Sequence, residues 1–300
     1  NSHNHPFQEN EFKGVKIIHK YDPENLIGTA GQFIYDLNCI LDSRKRNFDI
    51  IFQLGYTSSS IWSFFLPKKS TIVTNMDGLE WKRSKYSKKV QNFLRFAEKK
   101  AVETSDYLVA DSIGIKTYLE ETYGVDSEYI PYGANIFTNP QFNQLSPLRV
   151  EKFGYDMLVA RMEPENSIEI ILDGYVKSKR KRPFLVVGNV KTKFGLYLTE
   201  KYKNETGICF LGSIYDFELL NNLRYFSNLY FHGHTVGGTN PSLLEAMGSH
   251  AMICAHDNVF NKAILEGDAF YFKNPEDVAN AINSILKTTE HPFIASNLLK

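Results

Sequence analysis

Apolar residues along this chain fall into short runs, and between the runs they recur at helical spacing. In the first half the runs at 14–19, 48–54, 70–74 and 106–110 predict strands, with 48–54 read as buried. Phe33, Ile34, Leu37 and Leu41 give 30–46 a helical period. A short helix is expected over 57–65 and a long amphipathic one over 84–103. Asp111-Ser112 caps a further helix that runs to Tyr123, and Tyr129-Ile130-Pro131 closes this half. Residues 135–153 are rich in Asn, Pro and Gln and read as a linker. The alternation then resumes, with strands at 155–160, 184–187, 208–211, 229–231, 252–255 and 270–272. Helices are expected at 168–177, 194–202, 217–226 and 275–286. Strand–helix alternation on both sides of a polar stretch predicts an α/β fold: two doubly wound, Rossmann-like domains, over 1–145 and 146–300.

One stretch organises the second half. His232-Gly-His-Thr-Val-Gly-Gly-Thr-Asn-Pro-Ser-Leu-Leu-Glu-Ala-Met-Gly248 follows an apolar strand, turns on Gly237 and Gly238, and enters a helix. Asn240 suits the N-cap and Pro241 the first helical position. Glycine lets the backbone approach a ligand. Free N–H groups of Ser242 and Leu243, together with the helix dipole, would favour an anion. Glu245, about one turn in, could accept hydrogen bonds from hydroxyls. Phosphate plus ribose fits that set, so Gly237, Gly238, Thr239, Asn240, Ser242, Leu243 and Glu245 are candidate ligands of a nucleotide diphosphate. The plain alternative is an ordinary strand–turn–helix with a good cap.

Composition narrows the choice. The 34 Lys and Arg balance the 34 Asp and Glu, so no global field steers the chain toward nucleic acid. Cys39, Cys209 and Cys254 are scattered and form no Cys-x-x-Cys pair. That pattern suggests neither a disulfide framework nor a zinc site, and points to a reducing, cytoplasmic compartment. No apolar run approaches the roughly 20 residues of a spanning helix. The chain starts at Asn1 without Met, which suggests a fragment.

In doubly wound sheets ligands sit beyond the carboxyl ends of the strands. Asp77, Asp111, Arg161, Gly188, Gly212 and the 232–245 loop hold those positions. Arg161 could pair with a diphosphate, against a surface ion pair as the plain reading. Lys191 and Lys193 could add charge or simply be solvated. Asp77 could be a base or orient an acceptor hydroxyl, or it could form an Asx-turn with Gly78. Glu80 and Trp81 share its loop. His232 and His234 alternate as metal ligands do, yet no third ligand is evident, so core or sugar-contacting roles suit them better. No Asp-x-Asp occurs. The segment from Lys82 to Lys100 interleaves Lys and Arg with Trp81, Tyr86, Phe93 and Phe96; it reads as a solvated helix face, or as a peripheral contact with anionic membrane.

Taken together, these residues resemble the GT-B glycosyltransferases, specifically the retaining family 4 enzymes. The second domain of that family opens with strand–Gly-Arg-x-x-x-x-Lys; here 155–161 supplies strand and arginine, and Asn166 stands at the lysine. Val187-Gly188 and Leu211-Gly212 match later pairs. Glu245-Ala246-Met247 matches the second half of the family's Glu-x7-Glu, with Gly237 at the first Glu. Met76-Asp77 occupies the place of a His-Asp pair. Asn75-Met-Asp-Gly-Leu-Glu-Trp-Lys-Arg83 and Gly237-Gly-Thr-Asn-Pro-Ser242 are similar to a bacterial rhamnosyltransferase-like branch of capsule and O-antigen assembly.

The resemblance implies two domains facing a cleft lined by 77–81 and 237–245. It implies metal-independent, retaining transfer of a sugar, L-rhamnose in that branch, from a dTDP- or UDP-linked donor to a saccharide or lipid-linked acceptor. No cofactor beyond that donor is expected. Arg161 and the 242–243 amides would hold the leaving diphosphate, Gly188 and Lys193 would line the donor site, and Asp77 would orient the acceptor. The same resemblance places another strand and a Gly-rich loop before Gly14, and a last helix cut off near Lys300. Gly237, Met76 and Asn166 also prompt a different reading, a catalytically silent sugar-nucleotide-binding subunit; a GT-B epimerase or hydrolase is a third.

Overall fold

The computed structural model describes residues 1–83, 86–179, 182–236 and 239–300. They form two units, Asn1–Pro131 and Tyr132–Lys300.

The first unit opens with a hairpin, β1 (Glu11–Phe12) and β2 (Val15–Lys16). A strand over 14–19 does not form. Lys13 and Gly14 both take positive φ, 49° and 81°, and this two-residue turn folds the chain back on itself. Both hairpin strands are exposed. Helices α1 (Glu24–Ile27) and α2 (Gly31–Ser43) follow. The sheet of this unit holds β3 (Ile50–Gln53), β4 (Thr71–Asn75), β5 (Tyr107–Ala110) and β6 (Glu128–Tyr129), in that spatial order and all parallel. Its crossovers are a 3-10 helix (Ser59–Phe65), α3 (Lys88–Thr104) and α4 (Ile113–Tyr123). Ser87 and Ser112 cap α3 and α4 by accepting from Val90 and Ile115 amides. β3 is not the buried strand that its apolar run suggests. It is an edge strand among the described residues, with Ile50, Phe52 and Leu54 exposed. An apolar run alone cannot report which neighbours a strand will have.

The second unit starts earlier than expected. Residues 135–153 are not a free linker: the Phe137 amide donates to the Gly248 carbonyl at 2.8 Å, and the Gln141 amide to Asn222 at 2.6 Å. Leu145, fully buried, sits in this unit's core. The boundary therefore falls at Pro131/Tyr132 rather than at 145/146.

Six parallel strands build this unit's sheet: β7 (Asp156–Val159), β8 (Phe184–Val187), β9 (Ile208–Gly212), β10 (Leu229–His232), β11 (Ile253–His256) and β12 (Phe270–Phe272). Their order is β12-β11-β10-β7-β8-β9. Side chains alternate between two apolar layers. Leu158, Phe184, Val186, Phe231 and Cys254 face α5 (Ile168–Lys177), α6 (Lys193–Lys201) and α10 (Pro275–Ser284). Met157, Leu185, Tyr230 and Ile253 face α7 (Phe217–Phe226), α8 (Pro241–Gly248) and α9 (Val259–Leu265). Burial on both faces explains why these strands read as unbroken apolar runs. A short helix, α11 (Pro292–Asn297), follows α10; the sequence reading had none at α1, α9 or α11. Asp156, the first residue of β7, is fully buried, and Arg182 Nε donates to it at 2.5 Å.

The order places a topological switch between β7 and β10. From β7 the chain moves outward through β8 and β9, then returns to the other side of β7 with β10. Ligands of such sheets bind in the crevice beyond the carboxyl ends at this point.

Candidate functional site

A cavity of about 450 Å³ lies at that switch point. Its walls come from the carboxyl ends of three strands and the start of α8: Arg161 and Asn166 after β7, Gly188 and Thr192 after β8, His232 and His234 at β10, and Asn240 with Ser242. Residues 213–215 close a further side, with Tyr215 86% exposed and so able to meet a flat ligand.

Close backbone packing makes this floor possible. A Cβ on Gly188 would stand 2.1 Å from the Ala160 carbonyl oxygen, so only glycine lets the ends of β7 and β8 meet here. A Cβ on Gly233 would stand 2.0 Å from the Asn166 carbonyl oxygen. The 233–235 loop thus lies against the 161–166 loop. Thr235 seals the contact, its amide and hydroxyl both donating to the Glu165 carbonyl at 3.0 and 2.8 Å.

Asn166 is the bridge between the two loops. Its Nδ2 donates to the Arg161 carbonyl at 2.7 Å, which leaves Oδ1 as the acceptor facing His234 Nδ1 at 3.0 Å. That assignment puts the proton of His234 on Nδ1. Thr192 accepts from the Gly195 amide at 3.0 Å to cap α6 and donates to the Met162 carbonyl at 3.1 Å.

The structure distributes the sequence-expected residues unevenly. Arg161, Gly188, Asn240 and Ser242 line the cavity, and Arg161 is exposed. Asn240 caps α8 as its residue type suggests, and that cap corrects the expectation of free amides: Asn240 Oδ1 takes the Ser242 N–H at 2.9 Å, and its carbonyl takes the Leu243 N–H at 2.9 Å. Leu243 itself is fully buried in the core and outside the cavity wall. Lys193 opens α6, exposed and away from the wall. Thr239 is buried. Gly237 and Gly238 lie outside the described residues.

Glu245 is also off the cavity wall. Its Oε2 accepts from Arg224 Nη2 at 2.5 Å, and Arg224 is only 1% exposed. Arg224 reaches Ser242 Oγ as well, at 3.5 Å, and Ser242 Oγ lies 2.8 Å from the Tyr230 hydroxyl. A buried guanidinium thus underlies the start of α8. Sequence reading missed it, because an arginine on a helix gives no sign of facing inward.

In the first unit, Asp77 and Asp111 follow the ends of adjacent strands, β4 and β5. The Met76 amide donates to the Val109 carbonyl at 2.8 Å, so β4 and β5 leave the sheet side by side. Asp77 is exposed and Asp111 is 3% exposed. Burial, then the Asp77 charge, pushes the Asp111 carboxyl up to about 6. Glu80 pairs with Arg83 at 2.6 Å. Trp81 Nε1 donates to Glu98 at 3.2 Å, and the Arg95 guanidinium lies 3.9 Å from its ring. A separate cavity of about 570 Å³ lies between α2 and β3, and Asp77, Glu80 and Trp81 do not line it. Among the described residues no group of three or more His, Cys, Asp or Glu could hold a metal ion, and no helix is long and apolar enough to cross a membrane.

With this geometry in view, comparison with known proteins adds the class of fold. Residues 2–135 match the family model described as a domain of unknown function, DUF1972. A search of curated proteins finds no match. Among solved structures, the chain is similar to Anabaena HepE in complex with UDP-glucose, at 18% identity and a TM-score of 0.74, over 90% of this chain and 77% of that one. Sucrose-phosphate synthase from Thermosynechococcus elongatus follows at 16% identity and 0.70, over 89% and 70% of the two chains. The apo structure of OtsA matches at 13% and 0.62, over 91% and 74%. The chain therefore has the α/β fold of GT-B glycosyltransferases.

Proposed function

We propose that the protein is a glycosyltransferase that takes its sugar from a nucleoside diphosphate donor held in the cavity of the second unit. The carrying observation is the convergence of Arg161, Gly188, Asn240 and Ser242 on one cavity at the switch point of the sheet. Arg161 offers a permanent positive charge with a planar fork of donors suited to a diphosphate. The dipole of α8 adds to it, although Asn240 already satisfies the first amides. Gly188 keeps the floor open to the backbone. Similarity of fold to a structure solved with UDP-glucose supports the same donor class.

The finer reading is a retaining, metal-independent transfer of L-rhamnose from a dTDP- or UDP-linked donor to a saccharide or lipid-linked acceptor, in bacterial surface polysaccharide assembly. The motifs around Asp77 and Asn240 support it. The electrostatic work is done on the leaving diphosphate by Arg161, while Asp77 orients the acceptor hydroxyl. Contact with anionic membrane, where a lipid-linked acceptor would lie, rests on exposed Lys88, Lys89, Phe93, Arg95 and Phe96 of α3. Incubation with a panel of dTDP- and UDP-sugars, with and without acceptor saccharides, tests the proposal. Acceptor-dependent release of nucleoside diphosphate, lost in Arg161→Ala, is expected. Release without acceptor dependence would make the protein a hydrolase, and binding without any release would make it a silent subunit.

A further inference from the structure

The first unit carries cations that neither the donor cavity nor α3 accounts for. Residues 44–49 and 64–71 run side by side at the amino ends of β3 and β4. Arg44 Nη1 donates to the Phe65 carbonyl at 3.2 Å, Ser70 Oγ to the Phe48 carbonyl at 2.6 Å, and the Thr71 amide to the Asp49 carbonyl at 2.8 Å. Arg44 and Lys45 on one stretch, and Lys68 and Lys69 on the other, are all exposed. Asp42 takes Lys20 and Arg46, whereas these four join no ion pair among the described residues. Asp49 is the only acidic residue in the two stretches.

Charge alone would make an ordinary solvated surface, and Phe64 changes that. It is 68% exposed, four residues before Lys68. Its ring is backed rather than free, with centroids 4.1 Å from Phe65 and 6.4 Å from Trp62. Trp62 is tied down in turn, its Nε1 donating to the Phe33 carbonyl at 2.8 Å. The 3-10 helix thus holds an aromatic side chain out into solvent on a fixed base. A bare ring gains from an apolar medium, and uncompensated cations gain from an anionic surface. A bilayer with anionic headgroups offers both, negative charge at its surface and hydrocarbon about 5–10 Å beneath.

We propose that this end of the first unit docks on an anionic lipid bilayer, with Phe64 inserted at the acyl boundary and Arg44, Lys45, Lys68 and Lys69 at the headgroups. The surface lies at the opposite end of the strands from Asp77. It is additional to the exposed residues of α3, and it does not rest on the donor cavity.

Co-sedimentation of the intact protein with phosphatidylcholine vesicles, with and without phosphatidylserine, tests it. The wild type binds the anionic vesicles and is released by salt. Each cation near the surface contributes about fivefold, so Lys68→Gln combined with Lys69→Gln weakens binding by about 25-fold. Phe64→Ser weakens it by about tenfold and keeps the wild-type salt dependence. Lipid brominated on its acyl chains quenches tryptophan fluorescence of the wild type, through Trp62 behind Phe64, and quenches Phe64→Ser less. If either variant fails to fold, the other decides. Wild-type binding that ignores phosphatidylserine, or no binding to vesicles at all, overturns the proposal. So does a charge effect with neither quenching nor a loss in Phe64→Ser, which would point to a soluble acidic partner. If Lys88→Gln with Lys89→Gln abolishes binding while the Phe64 and lysine-pair variants bind as the wild type does, the contact belongs to α3 alone and this surface is merely solvated.

Discussion

Glu98 lies in the middle of α3, 1% exposed, and its carboxylate gathers four donors. Tyr118 and Tyr123 hydroxyls donate to Oε1, each at 2.7 Å. The Tyr56 hydroxyl and Trp81 Nε1 donate to Oε2, each at 3.2 Å. The cluster ties the loops after β3 and β4 to α3 and α4, and so anchors the chain that follows Asp77. Replacing Glu98 by Gln keeps the volume but removes the charge; the Tyr118 and Tyr123 hydroxyls can turn to accept from the carboxamide N–H groups while its oxygen still takes Tyr56 and Trp81. Hydrogen bonds to a charged group contribute about 1.5–3 kcal/mol each and neutral ones about 0.5–1.5, so neutralising all four costs about 4–6 kcal/mol. Relief from burying a charge offsets part of this, since desolvation costs several kcal/mol per ion. A net loss of about 2–4 kcal/mol is expected, a large part of the stability of a domain. Both tryptophans, Trp62 and Trp81, lie in the first unit, so urea unfolding followed by tryptophan fluorescence reports on it. A double-mutant cycle sharpens the test: Tyr123→Phe should destabilise the wild type and cost about half as much in the Glu98→Gln background. An unchanged urea midpoint for Glu98→Gln, or a Tyr123→Phe cost equal in both backgrounds, would refute the four-donor account.

Further outcomes follow from the same geometry. Asp111 has a native pKa raised to about 6 from an ordinary 3.8, so the native state binds this proton more tightly than the unfolded chain does. Its unfavourable contribution is absent below pH 3.8 and complete above pH 6; the melting temperature of Asp111→Asn should gain on the wild type across that window, and a gap independent of pH would contradict it. Glu245→Ala leaves the Arg224 guanidinium buried without its carboxylate, which should cost about 3–5 kcal/mol of stability in urea unfolding. If Glu245 also holds the ribose, nucleotide affinity falls by about 1.5–3 kcal/mol, and unchanged affinity in a folded variant removes it from the site. If the exposed face of α3 docks on lipid, co-sedimentation with anionic vesicles should fall steeply with salt, and equal binding to neutral vesicles would leave it a solvated face.

Much of this architecture was legible in the hydrophobic pattern, for a physical reason. The strands of the second unit are buried on both faces, and the helices between them are amphipathic with polar caps, so period and punctuation agree. Asn240 followed by Pro241 marked the start of α8 correctly. Where the pattern misled, the cause was context that a sequence does not carry. The run at 14–19 is apolar enough for a strand, but Lys13-Gly14 turns it into an exposed hairpin. The polar 135–153 stretch reads as a linker, yet its backbone hydrogen-bonds back to the second unit. At the site, strand-end positions led to Arg161 and Gly188. Asn166 as the bridge to His234, Arg224 beneath Glu245 and Glu98 beneath Trp81 were not legible. Each acts through a long-range contact whose two ends show no shared pattern in the chain.

The central claim is that the cavity between the ends of β7, β8 and β10 receives a nucleoside diphosphate. Determining the structure of the protein with UDP or dTDP bound tests it most directly. The account predicts the diphosphate beside Arg161, Gly188 and Ser242, with Arg161→Ala weakening the complex. A nucleotide bound elsewhere on the chain, or no binding of either nucleotide at millimolar concentration, would contradict it.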